Sequence, residues 1–248
     1  MAGDVMQEKN LQSIFDEAFH LIKKENDRPD GSNRKEAYEL LKKHYAENSQ
    51  NHEYLWRLAH LTYIYMQTFS LSDKKKYKEL CFEAKKYAFE ALEINKNDPD
   101  VHLNCSMTLG TISDYVGTEE KIKNGHAMKH HLDEGLKLRP EDSTLHHMYG
   151  RWAFNVAGLS WLERKIAWAL YSEPPESTYG IALHEFLEAE RFNPDSWKEN
   201  QLYIALCYDR MGDRTKKKEW LQRAENIPNL SADDEAADKE IKRLLKKC

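Results

Sequence analysis

Apolar residues along this chain recur at helical spacing. Leu11, Phe15, Ala18, Phe19 and Ile22 fall three or four apart, as do Ala37, Leu40, Leu41, His44 and Tyr45. That period gives a helix one apolar face, and it predicts an N-terminal helix pair over 8–48. The intervening NDRPDGSN reads as a loop. Further along, small-residue helix ends run repeatedly into a proline-marked turn. They read EALEINKNDPD at Glu90–Asp100, GLKLRPED at Gly135–Asp142, AERFNPD at Ala189–Asp195 and, more loosely, AENIPN at Ala224–Asn229. Four similar endings suggest one stacked unit.

A tetratricopeptide unit of about 34 residues takes small residues at its eighth, twentieth and twenty-seventh positions and proline near its thirty-second. Small side chains are needed there because helices approach closely. Glu199–Pro228 fits almost without gaps, with Ala205 eighth, Tyr208 eleventh, Gly212-Asp213 in the turn and Ala224 twenty-seventh. Lys217 falls where a small residue is expected, so that contact must be looser or shifted. The preceding unit has Gly150, Ala182, Ala189 and Pro194 in phase, around an insertion of roughly 20 residues. Gly110, Gly135 and Pro140 mark another unit, and Ala59, Ala84, Ala91 and Pro99 one more. The expected fold is a single all-α domain over 1–248, a tetratricopeptide-like right-handed α-solenoid of antiparallel helix pairs with helical insertions. Its repeats run over about 51–99, 100–140, 141–194 and 195–228. A C-terminal capping helix follows over 231–247. Ser231 can cap it, its first turn is acidic (Asp233, Asp234, Glu235) and its last is basic (Lys242, Arg243, Lys246, Lys247).

Within the insertion, LSWLERKIAWALYSEPPESTYG at Leu159–Gly180 predicts an extra helix over Ser160–Tyr171. A corner at Pro174-Pro175 would follow, since proline cannot continue a helix, with the next helix starting near Thr178. Trp152, Trp161 and Trp168 are expected to anchor the core, with Tyr179 packed at the corner, and the insertion to wall one side of the groove.

Composition agrees with helix. The chain has only 10 Gly and 7 Pro in 248 residues, and 11% aromatics against 32% charged residues argue against disorder. A net charge of −5 argues against broad nucleic-acid binding. The four cysteines form no CxxC, so neither a disulfide framework nor a zinc site is expected, and a reducing compartment is. There is no long apolar run to span a membrane and no signal-peptide pattern, and KKC is not a prenylation box. The expectation is a soluble cytoplasmic protein with no transmembrane segment.

Catalytic motifs are missing: no phosphate-cradling glycine loop, GxSxG or HExxH appears. His126 and His130 share a helix face, with His131 beside them, but further ligands are not evident. No enzyme, metal or cofactor is expected. A solenoid instead offers a concave face lined by the first helix of each unit. The repeat phase puts Trp56, His60 and Tyr63 there from one unit, and Met107, Thr111, Asp114 and Tyr115 from the next. His147, Arg151, Phe154 and Asn155 follow, then Leu206, Asp209 and Arg210. This mixed lining suits a peptide or an acidic group. Two basic runs, Lys74, Lys75 and Lys76 in KKKYK and Lys216, Lys217 and Lys218 in RTKKK, are candidate contacts for an acidic partner.

Several segments resemble the regulator of microtubule dynamics family, whose members include an endoplasmic reticulum–mitochondria tether. They are YLWRLAHLTY (Tyr54–Tyr63), Ser113–Asp142, HHMYGRWAFNVAG with the insertion through His146–Leu206, and the closing EWLQRAENIP. The tryptophan-to-PPESTY stretch is the most specific part. The resemblance implies a non-catalytic scaffold that associates with tubulin, microtubules and spindle proteins, at the spindle and spindle poles, and affects chromosome segregation. It is similar to the shorter soluble members. Phospholipid binding or transfer, implied by the tether branch, and a peptide-binding adaptor are the alternatives.

Overall fold

The computed structural model describes residues 2–23, 32–69, 73–171, 176–229 and 232–248, and every regular element among them is helical. The chain divides into two compact units, Met1–Tyr115 and Val116–Cys248.

The first unit contains α1 (Ala2–Lys23), α2 (Ser32–Lys43), the short α3 (Tyr45–Asn48), α4 (His52–Met66), α5 (Lys74–Ile94) and α6 (Pro99–Ile112). Short acidic or amide side chains start these helices by accepting otherwise unpaired backbone N–H groups. Asn51 accepts from Tyr54, Asp73 from Lys75 and Lys76, and Asp98 from Asp100. Pro99 then occupies the first turn, where its missing N–H costs nothing. The repeated proline turn is thus a stop for one helix and a cap for the next. Ile14, Ala18, Ala37, Leu41, Leu55 and Leu58 are buried in one core, and the small residues Ala59, Ala84 and Ala91 are fully buried where the spacing requires close approach. Phe19 departs from the expected apolar stripe: it is 61% exposed, with the Lys23 ammonium 4.6 Å from its ring centroid. Between α4 and the 21-residue α5 the chain makes a 3-10 turn at Gln67–Phe69.

The second unit contains α7 (Thr118–Leu138), α8 (Ser143–Ala157), α9 (Trp161–Leu170), α10 (Tyr179–Phe192), α11 (Lys198–Met211), α12 (Arg214–Glu225) and α13 (Ala232–Leu245). Gly150 of α8 meets Phe186 of α10 so closely that a Cβ there would lie 2.7 Å from the ring, which explains the eighth-position small residue. Lys217, in the twentieth position, is accommodated by an ion pair to Asp209 at 2.8 Å. Gly212 closes α11 with φ +86, a left-handed conformation that glycine adopts without penalty. Asp195 also has positive φ, and its side chain accepts from Gln201 at 2.9 Å and Arg223 at 2.6 Å.

The insertion forms α9 as expected, begun by a Ser160–Glu163 capping box, and α10 follows Thr178, whose hydroxyl accepts from Ile181. The expected Pro174-Pro175 corner and the Ser231 cap lie outside the described residues. The three tryptophans separate. Trp152 is 4% exposed and donates its indole N–H to the Gly125 carbonyl at 2.8 Å, as a core anchor should. Trp161 and Trp168 are 70% and 59% exposed, which overturns the expectation that they anchor the core. α9 buries only its Ala167, and a residue that small lets α9 rest on α7 while the large rings stay outside.

At the C-terminus Ala237, Ile241 and Leu244 of α13 pack on Leu202, Ala205, Leu221 and Ala224. The buried Lys198 fastens this cap, donating to Asn229 and, at 3.2 Å, to Asp238. Among the described residues no helix is long and apolar enough to cross a membrane.

Candidate functional site

In the second unit α8 and α11 lie side by side, and their aligned residues form an aromatic and charged face. Arg151 reaches from α8 to pair with Glu199 of α11 at 2.6 Å and stacks over the Tyr203 ring at 4.6 Å. Phe154 packs edge-on against Tyr203 and Tyr179, with centroids 5.5 and 5.1 Å apart. The exposed Arg210 guanidinium lies 5.8 Å from the Tyr179 ring. Asn155 is exposed beside them. The face therefore offers cationic planes set against aromatic rings, an arrangement suited to carboxylate-bearing or aromatic peptide side chains.

His147, expected on this wall, is instead sealed inside. It is 3% exposed, stacked on Trp197 with centroids 3.8 Å apart, and its Nδ1 donates to Asn200 Oδ1 at 2.9 Å. Desolvation, reinforced by the Arg151 charge, lowers its pKa to about 3, so the ring is neutral and structural. His147 lies on the side of α8 that meets α11, and rings supplied by α11 and its entry turn close over it. Its neighbour His146 behaves oppositely. Burial works against its charge, yet hydrogen bonds to Glu185 at 2.7 Å and to the Pro140 carbonyl raise its pKa.

Tyr203, Tyr179 and Glu199 complete the face; sequence singled out neither Tyr203 nor Glu199 and read Tyr179 as a corner residue rather than part of this face. Glu199 occupies the second position of its repeat, so the same spacing rule that selects Asp209 and Arg210 would have found it. Tyr179 enters from the insertion, where no repeat rule applies.

In the first unit Trp56, His60 and Tyr63 follow one another on α4. Trp56 lies under the Arg57 guanidinium at 4.2 Å, and its indole N–H is buried with no acceptor among the described residues. Burial lowers the His60 pKa despite the opposing pull of Asp100 on α6. Tyr115 packs against Tyr77 of α5 at 5.7 Å, while Asp114 is exposed beside it in the 3-10 turn. The unit thus holds a second, more tyrosine-rich cluster.

Both lysine runs sit at the start of a helix, the first within the opening turn of α5 and the second running from the opening turn of α12 to just past it. Lys74, Lys75 and Lys76 open α5, and Lys216, Lys217 and Lys218 follow Arg214 at the start of α12. Neither first turn contains an acidic residue, so the cations face the positive end of each helix dipole, a locally unfavourable placement. Lys217 is held by Asp209, Lys216 lies 5.1 Å from the Tyr208 ring, and Lys218, Lys74 and Lys75 are exposed.

Among the described residues no group of three or more His, Cys, Asp or Glu could hold a metal ion. His126 stacks on Tyr171 at 4.3 Å, and His131 is buried. Burial pushes the thiols of Cys81, Cys105 and Cys207 up to about 12, which leaves them unreactive as nucleophiles. A shallow depression lined by His130, Asp133, Glu134, Leu136 and Lys137 runs along α7 alone and gathers none of the groups above.

The family described as Regulator of microtubule dynamics protein 1-3 matches residues 17–248. The chain belongs to this family. Among curated members, it is 32% identical over 212 residues to Regulator of microtubule dynamics protein 3 of Rattus norvegicus, across 86% of this chain and 45% of that protein. It is 33% identical over 209 residues to protein 1 of Bos taurus, across 84% and 65%, and 32% over 241 residues to protein 2 of Mus musculus, across 97% and 57%. The chain spans about half the length of the curated relatives it matches. A crystal structure of a thermophilic TPR protein from Thermus thermophilus superposes with a TM-score of 0.60 at 14% identity, covering 91% of this chain and 99% of that one. That likeness establishes the tetratricopeptide-type helical-repeat fold for this regulator of microtubule dynamics family member.

Proposed function

We propose that this chain is a non-enzymatic helical-repeat scaffold that regulates microtubule dynamics by binding acidic segments of tubulin. It works in the cytoplasm, at the spindle and its poles, and so influences chromosome segregation. The observation that carries the reading is the family match over residues 17–248. The lysine runs supply the chemistry. A cation in a helix's first turn costs on the order of 0.3–1 kcal/mol of helix stability. An acidic polymer docked across those turns offsets that cost, and the acidic tubulin surface is such a polymer.

This placement makes the test unusually clean. Replacing Lys74, Lys75 and Lys76, or Lys216 and Lys218, by glutamate puts acid in or next to the first helical turn at solvent-exposed or half-exposed positions, so the fold is retained. In co-sedimentation with stabilised microtubules, each set weakens pelleting severalfold, and added salt weakens it further. Undiminished pelleting of both charge-reversed proteins rules these runs out as contacts.

A peptide-binding adaptor is the second reading, favoured by the Arg151, Phe154, Tyr179, Tyr203 and Arg210 face. Saturable binding of an acidic aromatic peptide, lost in Arg210→Ala, together with no binding to tubulin, would establish it instead. An acyl-chain carrier is weaker, because the Arg151–Glu199 ion pair crosses the wall such a chain would occupy.

A further inference from the structure

Helix α9 turns its large apolar residues outward. Trp161, Leu162 and Trp168 are 70%, 61% and 59% exposed. With Lys165 and Ala169 they occupy positions i, i+1, i+7, i+4 and i+8, a single stripe along the helix. Lys165 lies on that stripe between the two rings, its ammonium 3.9 Å from the Trp161 centroid. The helix's acidic residue, Glu163, is engaged by the Ser160 backbone N–H and hydroxyl at its own N-terminus. Arg164 caps the end of α8, donating to the Ala157 and Leu159 carbonyls. Lys121 and Lys123 of α7 are exposed near the two ends of α9: Lys121 acts on the Glu163 carboxylate and Lys123 on Tyr171, although Lys123 also pairs with Glu119 at 2.7 Å.

We propose that this face of α9 docks on an anionic phospholipid bilayer, lying in the interface with Trp161, Leu162 and Trp168 among the upper acyl chains and Lys165 at the phosphates. Three observations select that occupant. The exposed area of the three side chains is on the order of 400 Å², against about 800 Å² per partner for a stable protein–protein interface. A lysine in the middle of the stripe would be stranded in an apolar protein groove, whereas at a bilayer surface it extends to the headgroups while its stem stays with the rings. A second copy of the chain would bring Lys165 against Lys165, with no free acid on either α9 to answer it. Tryptophan beside lysine on one outward stripe is the composition that interfacial helices use.

The test is flotation of the full chain with vesicles of pure phosphatidylcholine, and of phosphatidylcholine with about 30% phosphatidylserine, at near-physiological salt. The expected result is preferential flotation with the anionic vesicles. Trp161→Ala/Trp168→Ala lowers that binding by about tenfold or more, and Lys165→Glu lowers it selectively for the anionic vesicles. Both rings are exposed, so a thermal melt shows the double variant folded. Wild type that stays at the bottom of the gradient, or a double variant that floats equally well, overturns the proposal. Sedimentation velocity that shows a wild-type dimer and a monomeric double variant also overturns it, by making a second copy the occupant.

Discussion

Helices α8 and α9 are neighbours in sequence and both carry tryptophan, yet they meet solvent in opposite ways. α8 buries Leu145, Gly150, Trp152, Ala153 and Val156, while α9 buries Ala167 alone. α8 is a repeat element, and its small and large positions are fixed by the partner helix it must fit. α9 belongs to an insertion and, among the described residues, rests chiefly on α7. A helix with one small contact is free to keep its largest side chains for something outside the fold. Apolar residues at helical spacing therefore mean core in one case and outward face in the other.

The strongest way to break this comparison is to shorten the two kinds of tryptophan. Trp152→Ala is expected to cost about 3–5 kcal/mol in urea unfolding, because it opens a cavity and removes the indole's hydrogen bond to the Gly125 carbonyl. Gly150→Ala follows at about 2–3 kcal/mol, since the new methyl meets the fully buried Phe186 ring and neither can step aside. Third is a pH effect. The unfolded His147 takes a proton near pH 6.5 and the folded one only near 3, so stability falls as pH drops through that window. From pH 6.5 to 5 the loss is about 2 kcal/mol from this residue. His146, with its raised pKa, works in the other direction over its own titration. His147→Asn is expected to flatten the acid loss of stability, and an unchanged pH slope would contradict the buried neutral assignment. The smallest effect belongs to α9: Trp161→Ala and Trp168→Ala each change stability by less than about 0.5 kcal/mol. A cost there comparable to that of Trp152 would erase the distinction between the two helices.

The repeat phase was legible because small residues are forced wherever two backbones approach, and Ala59, Gly150, Ala205 and Ala224 obey that geometry. The start of α9 was legible too, from Ser160, and that of α10 from Thr178. The facing of α9 was not. Ile166, Ala167 and Leu170 make one apolar side and Trp161, Leu162 and Trp168 another, and only the surface of α7 decides between them. The candidate face was half legible for the same reason. Arg151, Phe154 and Arg210, all picked by the phase, come together around Tyr203 and Tyr179, but His147 disappears behind Trp197 and Tyr203, whose arrival from the next repeat is a long-range event. Lys217 shows the reverse: a residue too long for its position is kept by a specific acid, Asp209, on the helix before it.

The proposed action of this family member on microtubule dynamics runs through its charged helix starts. The most direct measurement is the growth and catastrophe of individual dynamic microtubules, imaged with increasing amounts of the purified chain. The expected result is a dose-dependent change in growth or catastrophe that is lost when Lys74, Lys75, Lys76, Lys216 and Lys218 are replaced together by glutamate. Dynamics unchanged by the wild-type chain, or changed equally by the charge-reversed one, would contradict it.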